Sequence, residues 1–301
     1  MTYEIDLAQA EDDFRAELRA TGLVPPDALE GDGKLHRIDA EEKPGKKDGW
    51  YVLHFDGIPA GAWGDWHDPS VKHTWCARKL GTLSAADRAT HLARMKAAQA
   101  QRDAEGKRKA AEAARKAQAL LDASQPASNA HPYAAPKLLA LPATVREIDL
   151  PDAVRILGYP PRCEDELLEG RLLVVPVYID GALSTVELID GQKRKHAIAG
   201  GKKTGGHWTT ADLPDGDGAG LTIIIAEGMA TTVSASMATG YLGVAALCCG
   251  NLMAVGKMLR KRYQHAKIVF VADLGIGVTK STEAARAVDG FVAIPTFGDQ
   301  Q

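Results

Sequence analysis

The chain has 301 residues, a net charge of −3, and 45% hydrophobic and 25% charged residues, a balance that excludes a fibrous or wholly disordered protein and leaves room for two modest domains. No run reaches the roughly 20 apolar residues that span a bilayer; the longest, 221–226 and 241–249, have the length of core strands. The acidic start lacks the basic and apolar stretches of a signal peptide, and Cys76, Cys163, Cys248 and Cys249 form neither a disulfide framework nor a paired zinc motif, so a cytoplasmic protein with reduced thiols is expected.

Residues 1–83 predict a small α+β module, in which a helix carrying Leu7, Phe14 and Leu18 precedes a tryptophan-rich antiparallel sheet with a turn at Asp56 and Gly57. Trp50, Trp63, Trp66 and Trp75 would supply the core of that sheet or, alternatively, a stacking platform for single strands. His67, His73 and Cys76 include one thiolate and are read as an ordinary loop rather than zinc ligands. Ser84 and Asp87 have the spacing of a capping box and open a long helix over 84–123. Between Arg88 and Lys116 this helix holds nine Lys/Arg against three Asp/Glu. It is too polar to be buried all round, so a solvated arm or connector is expected, basic enough to track a nucleic-acid backbone. Residues 124–137 have a linker's composition.

Residues 138–218 predict a second α/β piece, with a strand over 172–180, a turn at Gly181 and a return strand over 183–190. A basic loop follows: Lys193, Arg194, Lys195, Lys202 and Lys203, with His207 and Trp208, combine cations for phosphates with aromatic surface for a base, or form a solvated face. Across 219–301 strands and helices alternate strictly, which implies a parallel, doubly wound sheet whose ligands sit beyond the carboxyl ends of its strands.

Glu227 directly follows the first of these strands and Asp273 the third, so their carboxylates should project from one sheet edge. Gly228 would let the chain turn closely, and the next helix would present its N-terminus. Paired carboxylates at such an edge suit Mg²⁺ or Mn²⁺ in phosphoryl transfer, although either acid alone could be a helix cap or a solvated loop residue. Asn251 is expected to cap the following helix or to touch nucleotide, and Lys280 to meet a phosphate or remain solvated. No GxxxxGK[ST] loop is present, so a fused helicase is not indicated.

The segments IIIAEGMATTVSASMATG, CGNLMAVGKMLRKRYQHAKIVFVAD and GVTKSTEAARAVDGFVAIPTFGD resemble the Toprim domains of primases carried by phages, plasmids and integrative elements. Upstream, DGKLHRID, KPGKKDGWYVLHFDGIPAGAWGDW and TWCARK look like the N-terminal region of the same proteins. The resemblance implies a C-terminal Toprim fold preceded by a primase-core subdomain, with Glu227 as general acid/base and Asp273 in the Mg²⁺ motif. It also implies primer synthesis from nucleoside triphosphates on single-stranded DNA, with a replicative helicase as a possible partner. The chain departs from the pattern where Leu274, Gly275, Ile276 and Gly277 follow Asp273, because the second acid is missing. Thr231 stands where many relatives carry another acid; Glu283 and Asp289 are weak replacements, expected on or after the following helix. The shortened loop, and an end at Gln301 just past the last expected strand, keep a second reading open: a Toprim-derived DNA-binding accessory protein without turnover. A Toprim nuclease is a third, against which the upstream resemblance speaks.

Overall fold

The computed structural model describes residues 6–55, 58–66, 72–77 and 85–296, and it divides into two compact units, Met1–Arg102 and Asp103–Gln301. The architecture is mixed α/β, and among the described residues no helix is long and apolar enough to cross a membrane.

In the first unit, helix α1 (Leu7–Ala20) begins at Asp6, whose carboxylate accepts the backbone N–H groups of Ala8 and Gln9. Its Ala10, Phe14 and Leu18, spaced at four, form the buried stripe. That stripe meets an antiparallel meander of β1 (Leu23–Val24), β2 (His36–Ala40), β3 (Gly49–His54), β4 (Ala60–Asp65) and β5 (Lys72–Cys76), in spatial order. A Cβ at Gly61 would overlap the Phe14 ring, so the helix sits close only because that strand residue lacks a side chain. Trp63 is buried and donates to the Thr21 hydroxyl at 2.8 Å, whereas Trp66 is half exposed under the Arg37 guanidinium. The tryptophans therefore divide between core and surface and form no single platform. The turn at Asp56 and Gly57, the Ser84 cap and His67 lie outside the described residues.

Helix α2 (Ala85–Ala123) runs from the first unit into the second. Its second half is not a solvated arm: Ala113, Ala117 and Leu120 are buried in one cluster with Ile148, Leu172, Val174, Val186 and Leu188. Alanine hides this stripe from a reading based on polarity, because small residues at helical spacing let a highly charged helix lie flat on a sheet. The charges stay on the outer face, where Glu105 pairs with Arg108 and Lys109. Leu120→Ala should therefore lower stability by about 2–4 kcal/mol in denaturant unfolding. Leu92→Ala, at an exposed position of the same helix, should change it by less than about 0.5 kcal/mol.

The expected linker 124–137 is packed as well. It contains β6 (Gln125–Pro126), and Ser124, His131, Tyr133 and Ala134 are buried. His131 accepts the Tyr133 N–H at Nδ1 and faces the Arg171 carbonyl at 2.9 Å through Nε2, so the segment's polar groups are satisfied internally. Next come β7 (Arg146–Asp149), α3 (Leu150–Leu157), the small hairpin β8 (Arg162–Cys163) and β9 (Glu166–Leu167), then β10 (Arg171–Ile179), β11 (Ala182–Ile189) and β12 (Lys195–Ala197). The sheet order is β12-β11-β10-β7-β6, all antiparallel. The β10–β11 hairpin turns at Asp180 and Gly181, both at positive φ, as the two-residue loop requires.

The last sheet holds β13 (Trp208–Thr209), β14 (Thr222–Ala226), β15 (Leu242–Ala245), β16 (Lys267–Val271) and β17 (Phe291–Ala293), in the order β13-β15-β14-β16-β17. Four strands are parallel, joined by α4 (Met229–Thr239), α5 (Leu252–Arg262) and α6 (Ile276–Ala287); β13 is an antiparallel edge that the alternating pattern did not disclose. From β14 the chain first steps to β15, then crosses back to β16 and on to β17. The direction of winding thus reverses between β14 and β16, where doubly wound sheets open a crevice at their carboxyl ends.

Candidate functional site

The two acids predicted at that edge are there. Ala226 is in register with Val271, Glu227 follows directly, and Asp273 lies two residues beyond Val271. Both are half-buried. The Cys249 backbone N–H donates to the Glu227 carboxylate, and the Glu227 carbonyl accepts the N–H of Leu247 at 2.7 Å. Leu247 sits at φ 66°, a left-handed conformation that a branched apolar residue adopts only where its surroundings enforce it.

Burial raises the pKa of Glu227 above the ordinary glutamate value, and the negative charge of Asp273 raises it further; Lys195 and the Cys249 N–H act in the opposite direction. A carboxylate desolvated beside a second carboxylate has its charged form disfavoured, so Glu227 holds its proton more tightly than an exposed glutamate does.

Of the predicted basic residues, Lys195 acts on Glu227, and Lys203 is grouped with Lys195 through Glu187. Glu187, on β11 and 3% exposed, accepts Lys203 Nζ at 2.8 Å and lies 3.5 Å from Lys195 Nζ. Lys203 also reaches the Leu247 carbonyl at 3.4 Å. The other basic residues do not join them. Arg194 is held by the buried Asp190 at 2.7 Å, with Glu166 and Glu169 nearby, so its guanidinium closes the β11–β12 turn and is not available to phosphate. Lys193 is an exposed turn residue at positive φ, and Lys202 is exposed with its carbonyl taken by Ser184. Lys280 pairs with Glu283 one turn along α6 at 3.1 Å, which also occupies that acid; Asp289 lies past the helix.

The remaining residues singled out near the acids fall as follows. Gly228 has an extended backbone with open space around its missing Cβ, so no steric need for glycine exists there. Thr231 lies half-buried in the first turn of α4, which carries no acid. Asn251 neither caps α5 nor faces solvent: its amide donates to the carbonyls of Lys203, Gly206 and Ala246 and accepts the Gly205 N–H at 2.7 Å, pinning the 203–206 loop beside β15. Trp208 is fully buried and His207 nearly so, so neither lies on the open surface of the basic loop; both line a cavity instead.

Glu187 went unnoticed in the sequence, although a charge inside an apolar strand run (VELI) was the available signal. Tyr133 and Lys137, stacked at 3.9 Å, also lie within the field of Lys195; no pattern in the sequence linked them to the acids. Among the described residues, the grouping of three potential metal ligands is Glu30, Asp32 and His36 in the first unit, so Glu227 and Asp273 stand as a two-carboxylate pair.

No family model matches the chain, and neither does any solved structure. Two curated relatives do, both named DNA primase TraC and both from Escherichia coli. One is 31% identical over 306 residues, covering 95% of this chain and 26% of its own length. The other is 28% identical over 303 residues, covering 95% of this chain and 19% of its own length. The chain thus spans about a quarter or less of the curated relatives it matches, and its similarity to these DNA primases extends over nearly all of it.

Proposed function

We propose that this chain is a primase-type nucleotidyl-transfer module of a mobile element, with a Toprim domain over 219–301 and Glu227 and Asp273 at its centre. The observation that carries this reading is the carboxylate pair at the winding reversal, where burial and, after it, the charge of Asp273 raise the proton affinity of Glu227. Likeness to two DNA primases over 95% of the chain supports it.

The donor set fits a hard divalent cation: two carboxylates offer oxygen ligands, and phosphate oxygens and water can complete a shell. When bound, Mg²⁺ or Mn²⁺ would neutralise charge developing on the transferred phosphoryl group. Asp273 would supply an oxygen ligand to it. Glu227 takes up the proton that the attacking 3′-hydroxyl of a primer gives up as its oxygen bonds to the α-phosphorus and pyrophosphate leaves. Lys195 and Lys203, already oriented by Glu187, face the phosphates of a nucleoside triphosphate. Single-stranded DNA is the template in this reading, and a replicative helicase is a further partner.

A second reading, a DNA-binding accessory protein without turnover, is favoured by one observation: Leu274 and Ile276 are exposed where a second acid is expected. A primer-synthesis assay on single-stranded DNA with Mg²⁺ or Mn²⁺ separates the two. Product from the wild-type chain that falls at least ~100-fold in Asp273→Asn supports the enzyme. Wild-type chain that binds the template and makes no product supports the accessory role.

A further inference from the structure

We propose that the face of the second unit around His207 binds one nucleotide unit, a planar base with its phosphate, separately from Glu227 and Asp273. The backbone of His207 is bonded to Tyr178 of β10 in both directions, at 2.9 and 3.0 Å. Its side chain has no such anchor. The ring belongs to a residue 5% exposed, makes no hydrogen bond among the described residues, and has a fully buried Nδ1 without a partner. Buried polar groups in folded proteins are nearly always satisfied, so a buried imidazole left open calls for a partner from outside the chain. Burial and the nearby Arg262 hold its pKa down, so at neutral pH the ring carries one donor and one acceptor, the combination that reads a nucleobase edge.

Two cavities share this ring, together with Gly181 and Leu213. The larger, about 410 Å³, is lined by Leu121, Pro176, Tyr178 and Trp208 on its apolar side and by Arg146 and Asp212 on its polar side, a mixed wall that offers a base both packing and hydrogen-bonding partners. The smaller, about 340 Å³, is lined by Met258 and by Lys261 and Arg262 at the end of α5. Lys261 is exposed and makes no ion pair or hydrogen bond among the described residues. Arg262 engages its Nη2 on the carbonyls of Leu213 and Pro214 and lies over the Tyr263 ring at 5.2 Å, which leaves Lys261 as the unengaged cation of this chamber among the described residues. Asp180 is the acid in this chamber, against two cations. An aromatic chamber joined to a cationic one through a neutral imidazole matches a base joined to a phosphate. Such a unit can come from a free mononucleotide or from a single strand of DNA.

Calorimetric titration of the full chain in EDTA, which removes any contribution needing a divalent cation, decides the matter. The probes are thymidine monophosphate, a ten-residue oligothymidylate and inorganic phosphate. Wild type and Glu227→Gln should bind the monophosphate or the oligonucleotide alike, and Lys261→Glu and His207→Leu should each bind at least tenfold more weakly. Binding of the oligonucleotide alone identifies the strand as the source; binding of the monophosphate identifies the free nucleotide. Because Lys261 is exposed, its variant decides even if His207→Leu fails to fold. The proposal is overturned if neither nucleotide probe binds wild type, if Lys261→Glu binds as wild type does, or if inorganic phosphate competes as well as the monophosphate. Binding lost in Glu227→Gln and kept in Lys261→Glu also overturns it, and would place the nucleotide at the acid pair instead.

Discussion

Glu227→Gln should reduce primer synthesis by ~10²–10⁴-fold, the range associated with removing a positioned general acid or base. The substitution keeps size and hydrogen-bonding reach while deleting the titrating charge. It should do so without loss of stability. Glu227 binds its proton more tightly in the native state than in the unfolded chain, because burial and Asp273 both disfavour its charged form. Between the ordinary glutamate value and the raised native one, the native state therefore carries more protons than the unfolded chain, and the stability contributed by this residue falls as pH rises. Glutamine has no charge to desolvate, so at neutral pH the variant should melt no lower than wild type. A pH profile supplies a second check. Followed by pH-dependent unfolding in EDTA, the limb contributed by Glu227 should centre above the ordinary glutamate value, and Asp273→Asn should shift it to lower pH by removing the repulsion. A variant that melts well below wild type, or a limb that Asp273→Asn leaves in place, would count against the assigned role.

The parts of this centre that could be read from the sequence share one property: they depend on a single strand and its end. An apolar run that stops at an acid, twice, in an alternating strand and helix pattern, is enough to place Glu227 and Asp273 on one edge, because parallel strands end on the same side. What could not be read depends on a second element arriving from elsewhere. Lys195 and Arg194 are neighbours in the basic loop, yet alternation along β12 and its preceding turn directs one toward Glu187 and the other onto Asp190. The linker-like composition of 124–137 concealed a packed segment for the same reason, since His131 finds its partner on β10, forty residues away. The alanine face of α2 carried too little hydrophobic contrast to announce its burial.

Asn251→Ala is expected to lower stability by about 3 kcal/mol, since one buried amide shares its two N–H donors among three carbonyls and accepts one N–H, and each unsatisfied buried group costs about 1–3 kcal/mol with partial relaxation. Asn251→Asp should be worse than alanine, because a carboxylate would face the carbonyls of Lys203, Gly206 and Ala246 with no proton to donate. The same residue should govern substrate binding through the loop it holds. Lys203 reaches Glu187 and Leu247 from a loop whose neighbouring backbone groups are clamped by this one amide, so losing the clamp frees the ammonium to move away from both. In a variant set at a temperature where all proteins are folded, Asn251→Ala should raise KM for nucleoside triphosphate more than it lowers kcat. Combined with Lys203→Met, its effect on KM should be clearly less than additive, because both substitutions remove the same cation. Fully additive KM effects would mean that the amide stabilises the sheet edge alone, and that Lys203 takes its position from Glu187 without the loop's help.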